Sequence, residues 1–450
     1  MKRKITSIIL SIATLFTATF AVFAINTQSS FADSSIPFKL YSDSALVCDM
    51  KTGDVLYSLN ASERRYPAST TKMLTAILAI ENLNLDDVVT VDKEATRAGG
   101  NSLKLKSGEK IVLRDLLYAT LVVSANDGAV VLAKAVSGNV EEFAKLMNKK
   151  AEEIGCTGSH FVNPNGLHED DHYTTAYDLA TIAMYCMKNE TFRDIVSHES
   201  YDMPATNMSK ERHVSSTNWL LYDTVDNHKV YAGSEYRYCK YDGCIGIKTG
   251  QTSEAGCCLV AAATRDDTTV LTVCLHASNT FERFSDAIRL LDLGFSSFKT
   301  VQQYQANTEL GTVKVKKGSV KTVTAVLNED IYATLLKNES TSIITTEISL
   351  EEKIKAPVEE GQQIGTVTVY KSGEPIIVAA AVAKEAVPEG GFLSNFGIDD
   401  ATAAKIKKVI SIILIIILLF ILGLTIWVIY MKIKIKKKKA RKAARLKEKQ

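Results

Sequence analysis

Residues 66–81 read YPASTTKMLTAILAIE, and this stretch decides how the fold presents its chemistry. The apolar run at residues 73–80 has the length and composition of a buried helix. Lys72 follows Ser69 by three residues, which places both side chains on one face of the first turn. A serine hydroxyl needs a base to become nucleophilic, and a deprotonated lysine amine can act as that base. The stretch therefore predicts a helix with a serine nucleophile and a lysine base at its N-terminus.

A second motif, Ser124-Ala125-Asn126, separates two apolar helical runs at residues 116–123 and 129–135. Polar residues at such a break often do no more than cap the following helix. The functional interpretation is that Ser124 passes a proton between Lys72 and the leaving group. Asn126 would then hydrogen-bond Lys72 and the substrate backbone.

A third motif, Lys248-Thr249-Gly250, ends a strand pattern that starts at residue 244. A strand edge beside a nucleophile can dock an extended peptide, and Gly250 leaves room for its backbone. We expect Lys248 and the Thr249 hydroxyl to hold a substrate carboxylate. The charge of Lys248, together with burial, would lower the pKa of Lys72. Backbone N–H groups of Ser69 and Gln251 would form the oxyanion hole.

Each of these motifs is common by itself, and the chain contains competing matches. Residues 107–110 (SGEK) repeat the first pattern, but they read as a turn between strands with no helix to present Ser107. Residues 216–218 (STN) repeat the second pattern and read as structural or substrate-lining. The order, spacing and local context of the three chosen motifs make their combination informative.

The pattern of the chain predicts two exported domains. Residues 35–300 begin with a hairpin, continue through helical stretches and return to strand patterns at 243–248, 257–264 and 268–276 before a closing amphipathic helix. Strands at both ends of this region imply one α/β (α+β) domain whose sheet joins the two terminal segments. Residues 301–384 alternate Val, Thr and Ile with polar residues and predict a small β-sandwich, with helical periodicity only at 331–337. Residues 385–408 read as a tether.

Both ends of the chain have membrane-related signals. Residues 1–32 combine a basic start, an apolar core and a small-x-small site, as in a secretory signal peptide; an uncleaved anchor is the alternative. Residues 409–431 contain no charge and are long enough to span a bilayer. The tail, residues 432–450, has a net charge of +10. The positive-inside rule places this tail in the cytoplasm and the catalytic domain on the extracytoplasmic face of a single-pass protein.

Charge and cysteine content narrow the function further. Without the signal segment and the tail, the rest of the chain has a net charge of −11, so we expect no nucleic-acid partner. The eight cysteines show no zinc spacing, and we expect no metal or cofactor. Most of them lie in apolar runs and are expected to be free thiols. Cys239 and Cys244 are the pair close enough in sequence to bridge across a turn.

Taken with their flanking residues, the motifs resemble the penicillin-binding-protein and serine β-lactamase signature. The contexts YPASTTKM (66–73), SANDGA (124–129), FVNPNGL (161–167), TAYDLA (175–180) and KTGQT (248–252) resemble the low-molecular-mass D-alanyl-D-alanine carboxypeptidases. The resemblance is dense over residues 35–298 and extends more loosely to the β-domain and membrane anchor. It implies a transpeptidase-like domain with an antiparallel sheet and a helical cluster.

The resemblance also implies an activity. The enzyme would remove the terminal D-alanine from peptidoglycan stem peptides ending in D-Ala-D-Ala, through an acyl-enzyme on Ser69, and β-lactams would acylate the same serine. Two features depart from the family pattern. Gln251 stands where His, Tyr or Phe is frequent, and the anchor is a full span where an amphipathic helix is frequent.

Three other functions use the same motifs. A class A β-lactamase needs a deacylating glutamate in an E-x-x-x-N pattern, and Glu169 is followed by Tyr173 at the Asn position. A transpeptidase differs only in whether an amine or water accepts the acyl group. A silent wall-binding scaffold is disfavoured because Ser69, Lys72 and Lys248 are all present.

Overall fold

The structure is a computed structural model that describes residue 36 and residues 38–447, with side chains described as far as Arg441. The predicted signal segment, residues 1–32, lies outside the described residues. The chain divides into two compact units. The first comprises the described residues up to Val301 together with Tyr332–Glu339, and the second comprises Gln302–Ile331 and the residues from Ser340 onward.

The α-helices of the described residues are α1 (Lys72–Asn82), α2 (Leu113–Val122), α3 (Asn126–Ser137), α4 (Val140–Glu153), α5 (Ala176–Cys186), α6 (Glu190–Ser197), α7 (Thr280–Ser297) and α8 (Asp400–Lys447). The strands between Ser44 and Tyr304 are β1 (Ser44–Asp49), β2 (Val55–Leu59), β3 (Val88–Thr90), β4 (Lys110–Val112), β5 (Ser200–Met203), β6 (Arg212–Ser215), β7 (Val230–Ala232), β8 (Glu235–Arg237), β9 (Cys244–Thr252), β10 (Gly256–Arg265), β11 (Thr268–Ala277) and β12 (Phe298–Tyr304). The remaining strands are β13 (Glu309–Lys316), β14 (Thr322–Leu327), β15 (Ile331–Leu336), β16 (Ile344–Leu350), β17 (Lys353–Lys355), β18 (Gln363–Lys371) and β19 (Glu374–Ala383).

The main sheet of the first unit is antiparallel, with strand order β2-β1-β11-β10-β9. Strand β1 pairs with β11, so that Ser44 lies opposite Leu275 across more than 200 residues of sequence. The predicted union of the two terminal segments in one sheet is confirmed. Strand β9 is an edge strand, which leaves the motif at Lys248 on an open side of the sheet.

Both faces of this sheet are covered, because its side chains alternate between two apolar layers. On β10, Val260 and Ala262 pack into the core that contains α1 and α5, whereas Leu259 and Ala261 pack into the core that contains α7. The sheet therefore lies between a helical cluster and the closing helix α7. The predicted α+β class with an antiparallel sheet and a helical cluster is confirmed.

The second unit is rich in β-structure, as predicted. Its main sheet has six strands in the order β16-β18-β19-β14-β13-β17. Neighbouring strands are antiparallel except β13 and β17, which are parallel. The helical periodicity at residues 331–337 does not correspond to a helix, because Ile331–Leu336 is the strand β15, most of which belongs to the first unit. A short apolar run of this length fits either structure, and Ile331, Ala333 and Leu335 alternate in the buried positions of a strand.

Helix α8 contains the predicted membrane span. Its segment Asp400–Arg441 is long and apolar enough to cross a membrane, and its most apolar window is fully exposed. The helix begins at Asp400, so the last part of the segment predicted as a tether is helical. Earlier in that segment, Phe392–Phe396 forms a 3-10 helix.

All eight cysteines are free thiols, including Cys239 and Cys244. Each of these two sulfurs instead lies near a backbone carbonyl, Cys239 at His228 and Cys244 at Gly246. Export and short spacing permitted a bridge, but the side chains of this pair have separate partners.

Candidate active site

The nucleophile lies on a sharp turn that precedes α1. Residues Ala68–Thr71 form a 3-10 helix, and Ala68 has a positive φ of 47°, a conformation that L-residues seldom adopt. Two glycines let backbone pack against this turn. A Cβ on Gly166 would lie 1.8 Å from the Ala68 carbonyl oxygen, and a Cβ on Gly250 would lie 3.0 Å from the Ser69 nitrogen. Ser69 is thereby held between β9 and the loop that contains Gly166.

Lys72 is fully buried beneath Ser69. Its Nζ lies 2.7 Å from Ser69 Oγ, 2.6 Å from Asn126 Oδ1 and 2.7 Å from the Asn165 carbonyl oxygen. A neutral amine has two hydrogens and one lone pair. When the two hydrogens are donated to Asn126 and Asn165, the lone pair faces the Ser69 hydroxyl. This geometry is suited to removal of the hydroxyl proton.

The electrostatics of the site favour this neutral form. Burial, followed by the charge of Lys248, lowers the pKa of Lys72 well below its ordinary value, while the charge of Asp127 opposes the shift. Burial and then the charge of Arg283 lower the pKa of Lys248 to about 7. Burial and the charge of Lys248 are the two causes expected from the sequence for a lower pKa of Lys72.

The second motif lies at the break between α2 and α3. Ser124 has a positive φ of 67°, and its Oγ is buried without a hydrogen-bond partner among the described residues. Asn126 is the first residue of α3 and is 4 % exposed. Its side-chain nitrogen donates to the Gly99 carbonyl, which orients its oxygen toward Lys72. Ser124 therefore offers an unused hydroxyl, and Asn126 a fixed acceptor.

The third motif lies on the edge strand β9. Lys248 is 1 % exposed, and its Nζ donates to the Thr249 carbonyl. The Thr249 hydroxyl lies 2.5 Å from the Thr217 hydroxyl. Arg283, on α7, donates from Nη1 to the Gly250 carbonyl. Gln251 follows with an exposed side chain.

Three residues at this site were not selected from the sequence as part of its chemistry. They are Asn165, whose carbonyl holds Lys72; Thr217, whose hydroxyl meets Thr249; and Arg283, which places a buried cation beside Lys248. The STN pattern at 216–218, which reads as structural or substrate-lining, does give a signal for Thr217. A charged residue at the start of an amphipathic helix gives no comparable signal for Arg283.

The rival serine–lysine pair does not form a site. Ser107 and Lys110 are both exposed, and they lie at the turn that leads into β4. Between them, Glu109 is fully buried and accepts from Arg212. These surroundings support the preference for Ser69 over Ser107.

A buried lysine against a serine, at the edge of an antiparallel sheet with helices on both faces, defines the class of serine acyl-transfer proteins with lysine as the base. Family comparisons agree with this class. The D-alanyl-D-alanine carboxypeptidase family, peptidase S11, matches residues 30–279. The C-terminal domain of penicillin-binding protein 5 matches residues 298–389. The chain belongs to the D-alanyl-D-alanine carboxypeptidase family.

Individual relatives match most of the chain. The D-alanyl-D-alanine carboxypeptidase DacF of Bacillus subtilis is 33 % identical over 400 residues, which cover 88 % of this chain and 97 % of the relative. The structure of penicillin-binding protein 5 from Haemophilus influenzae has 27 % identity and a TM-score of 0.62, covering 79 % of this chain and all of its own. The Streptomyces K15 DD-transpeptidase has 31 % identity and a TM-score of 0.52, covering 58 % of this chain and 99 % of its own.

Proposed function

We propose that this protein is a serine-type D-Ala-D-Ala carboxypeptidase that trims the terminal D-alanine from peptidoglycan stem peptides. The observation that supports this most directly is the set of three contacts around Lys72 Nζ, which leave the lone pair of a neutral amine for the Ser69 hydroxyl. The names of the relatives indicate the substrate class.

In the acylation step, Lys72 accepts the hydroxyl proton and Ser69 Oγ attacks the carbonyl carbon of the penultimate D-alanine. The N–H groups of Ser69 and Gln251 stabilise the oxyanion. The C–N bond then breaks, and the leaving amine takes its proton from Lys72 by way of the Ser124 hydroxyl. D-Alanine departs, and the remaining peptide is an ester of Ser69. Water hydrolyses this ester and returns the hydroxyl proton.

The substrate carboxylate has a cationic environment at the edge of β9. Lys248 and the Thr249 hydroxyl bind it, and Arg283 adds a second buried positive charge next to Lys248. A β-lactam presents a carboxylate and an acylating carbonyl in the same relation. It would therefore acylate Ser69 and block turnover.

The test is the intact mass of the protein after incubation with benzylpenicillin, with Ser69→Ala alongside. We expect one penicilloyl adduct on the wild type and none on the variant, with D-alanine released from a D-Ala-D-Ala peptide only by the wild type. Rapid drug turnover without an adduct would instead indicate a β-lactamase. Absence of both adduct and turnover would indicate a scaffold.

Transpeptidation is the alternative with an observation behind it, because the K15 DD-transpeptidase shares the catalytic fold at 31 % identity. The two reactions share the acyl-enzyme and differ in the acceptor. Turnover of the same peptide with an added D-amino acid or glycyl acceptor separates them. A carboxypeptidase yields mainly the hydrolysed peptide, whereas a transpeptidase yields mainly the exchanged product.

We propose further that α8 anchors the enzyme as a single-pass protein, with the catalytic unit extracytoplasmic and the basic tail cytoplasmic. The exposed apolar helix supports the anchor, and the basic residues after Tyr430 support the orientation. A C-terminal epitope tag should resist trypsin in intact spheroplasts and be lost in inverted vesicles. Loss of the tag in intact spheroplasts would reverse the assigned orientation.

A further inference from the structure

We propose that Thr71 and His172 are positioning residues for the oxyanion hole, because together they hold the Ala68–Ser69 peptide in the orientation that turns the Ser69 N–H toward the substrate. Neither residue touches the reacting atoms in this assignment. The proposal rests on the proposed function, since the orientation of this N–H matters only if Ser69 is acylated.

A series of three hydrogen bonds leads from the Val162 N–H through His172 and Thr71 to this peptide, and the last two of them are buried. Val162 N–H lies 3.1 Å from His172 Nδ1, so Nδ1 is an acceptor and the ring proton of the neutral imidazole is on Nε2. His172 Nε2 lies 2.9 Å from Thr71 Oγ1 and donates to it. Thr71 Oγ1 lies 2.8 Å from the Ala68 carbonyl oxygen and donates in turn. The direction of every bond in the chain is therefore determined.

The donor and acceptor roles in this series of hydrogen bonds do not change near neutral pH. Thr71 and His172 are each 1 % exposed. Burial, and then the charges of His160, His168 and Lys72, lower the pKa of His172 to about 3. The imidazole stays neutral near pH 7, so the acceptor at Nδ1 and the donor at Nε2 do not exchange.

The geometry of the peptide unit links this chain to catalysis. In a planar trans peptide, the C=O and the N–H point in opposite directions. When the Ala68 carbonyl is drawn toward Thr71, the Ser69 N–H points away from Thr71 and toward the side occupied by Gly250 and the edge of β9. Ala68 has an unfavourable positive φ, which persists only where the surroundings enforce it. The Thr71 hydroxyl donates a hydrogen bond to the Ala68 carbonyl, and the backbone of Gly166 packs closely against the same carbonyl.

The test compares Thr71→Val, Thr71→Ser and His172→Gln with a matched control, Thr75→Val. Thr75 lies in α1, four residues after Thr71; it is fully buried and donates its hydroxyl to the backbone carbonyl of Pro164. The substrates are a depsipeptide ester of N-acyl-D-alanine and its thionoester, in which sulfur replaces the scissile carbonyl oxygen. An oriented oxyanion hole favours the oxygen substrate, so the ratio of the two rates reports N–H orientation rather than folding.

We expect Thr71→Val to lower kcat by about 10-fold or more with little change in KM, and to lower the oxygen-to-sulfur rate ratio. Thr71→Ser and His172→Gln keep a hydroxyl or an amide donor, and they should restore most of both quantities. Thr75→Val should lower the Tm comparably and leave the ratio unchanged.

A Thr71→Val variant with the wild-type rate ratio would overturn the proposal, whatever its kcat, because the effect would then be purely structural. The proposal would also be overturned if Thr75→Val changed the oxygen-to-sulfur rate ratio as much as Thr71→Val does. If Thr71→Val does not fold, His172→Gln and Thr71→Ser against His172→Leu give the same comparison. A wild-type protein that neither cleaves the ester nor forms an acyl-enzyme would contradict the proposed function, which is a separate result.

Discussion

At the scale of single residues, the site depends on two buried lysines whose ammonium groups form no ion pair among the described residues. Lys72 has only neutral oxygen partners, and Lys248 donates to a backbone carbonyl. Removal from water disfavours the charged form of both. Lys248 is further depressed by Arg283, and its own charge depresses Lys72. The pair thus combines a lysine whose pKa lies well below its ordinary value with a second lysine whose pKa is about 7.

This arrangement predicts a bell-shaped pH dependence of kcat/KM. The rate should rise as Lys72 loses its proton. It should fall again as pH rises through about 7, because the pKa of Lys248 in the free enzyme is about 7 and the carboxylate-binding charge is lost above it. Lys248→Arg stays charged and should lack the alkaline fall. An unchanged alkaline limb in this variant would assign that limb to another group.

A second prediction at this scale concerns the glycine that packs on the nucleophile turn. Gly166 and Gly155 both have positive φ, 79° and 91°. A Cβ on Gly166 would collide with the Ala68 carbonyl, whereas a Cβ on Gly155 would meet nothing within 4 Å. Gly155→Ala should cost about 1 kcal/mol and keep full acylation. Gly166→Ala should cost clearly more and slow acylation, as measured by urea denaturation and penicillin binding; equal effects would contradict this account.

At the scale of elements, the N-terminus of α3 organises the loop that precedes α2. Asp127 is 1 % exposed. Its two carboxylate oxygens accept from Leu103 N–H, Leu105 N–H and the Ser102 hydroxyl. The neighbouring residue, Asn126, contacts Lys72. One helix start therefore fixes both the loop and the partner of the base.

Asp127→Asn is expected to have two effects. It replaces a charged acceptor with an amide that faces N–H donors, at a cost of about 1–3 kcal/mol in the free energy of unfolding. It also removes a charge that raises the pKa of Lys72, so the acid limb of the acylation rate should move to lower pH.

The matched control for this substitution is Asp178→Asn in α5. That carboxylate accepts from Gly158 N–H and the Ser159 hydroxyl in the same manner. It should cost similar stability without moving the acid limb, because it is not among the charges that act on Lys72. The acid limb is measured from the pH dependence of acylation by benzylpenicillin. A shift of the same size in both variants would contradict the electrostatic effect of Asp127.

At the scale of the whole molecule, the catalytic chemistry lies in the first unit and the apolar helix in the second. Helix α8 has no buried face in its apolar window, and it is followed by a strongly basic segment. An exposed helix of this length and composition suggests a membrane anchor. Membrane attachment and catalysis should therefore be separable.

A chain that ends at Gly397 lacks α8 and tests this separation. We expect the full-length protein to co-sediment with anionic lipid vesicles and the shortened one to stay in the supernatant. Both should be acylated by benzylpenicillin at the same rate within about twofold, since every residue of the proposed site lies before Val301. Sedimentation of the shortened protein would require a second membrane-binding surface.

Features that depend on local geometry are predictable from the amino-acid sequence. Ser69 and Lys72 are three residues apart on one helical turn, and the apolar length of residues 409–431 indicates a span without any knowledge of packing. Patterns of short apolar runs were less decisive, as the strand Ile331–Leu336 shows. In such runs, the side chains that become buried in the folded protein determine whether a helix or a strand forms.

The groups that complete the site from distant parts of the sequence become visible in the folded chain. The Asn165 carbonyl contacts Lys72 across 93 residues of sequence, His172 contacts Thr71 across 101, and Arg283 contacts Gly250 across 33. The sequence does not indicate which side chain a given backbone carbonyl will contact. The pKa of Lys72 likewise depends on its burial in the folded protein. These properties arise when the sheet and helices exclude water from the site, because removal of water shifts the pKa of a lysine and makes each remaining hydrogen bond necessary.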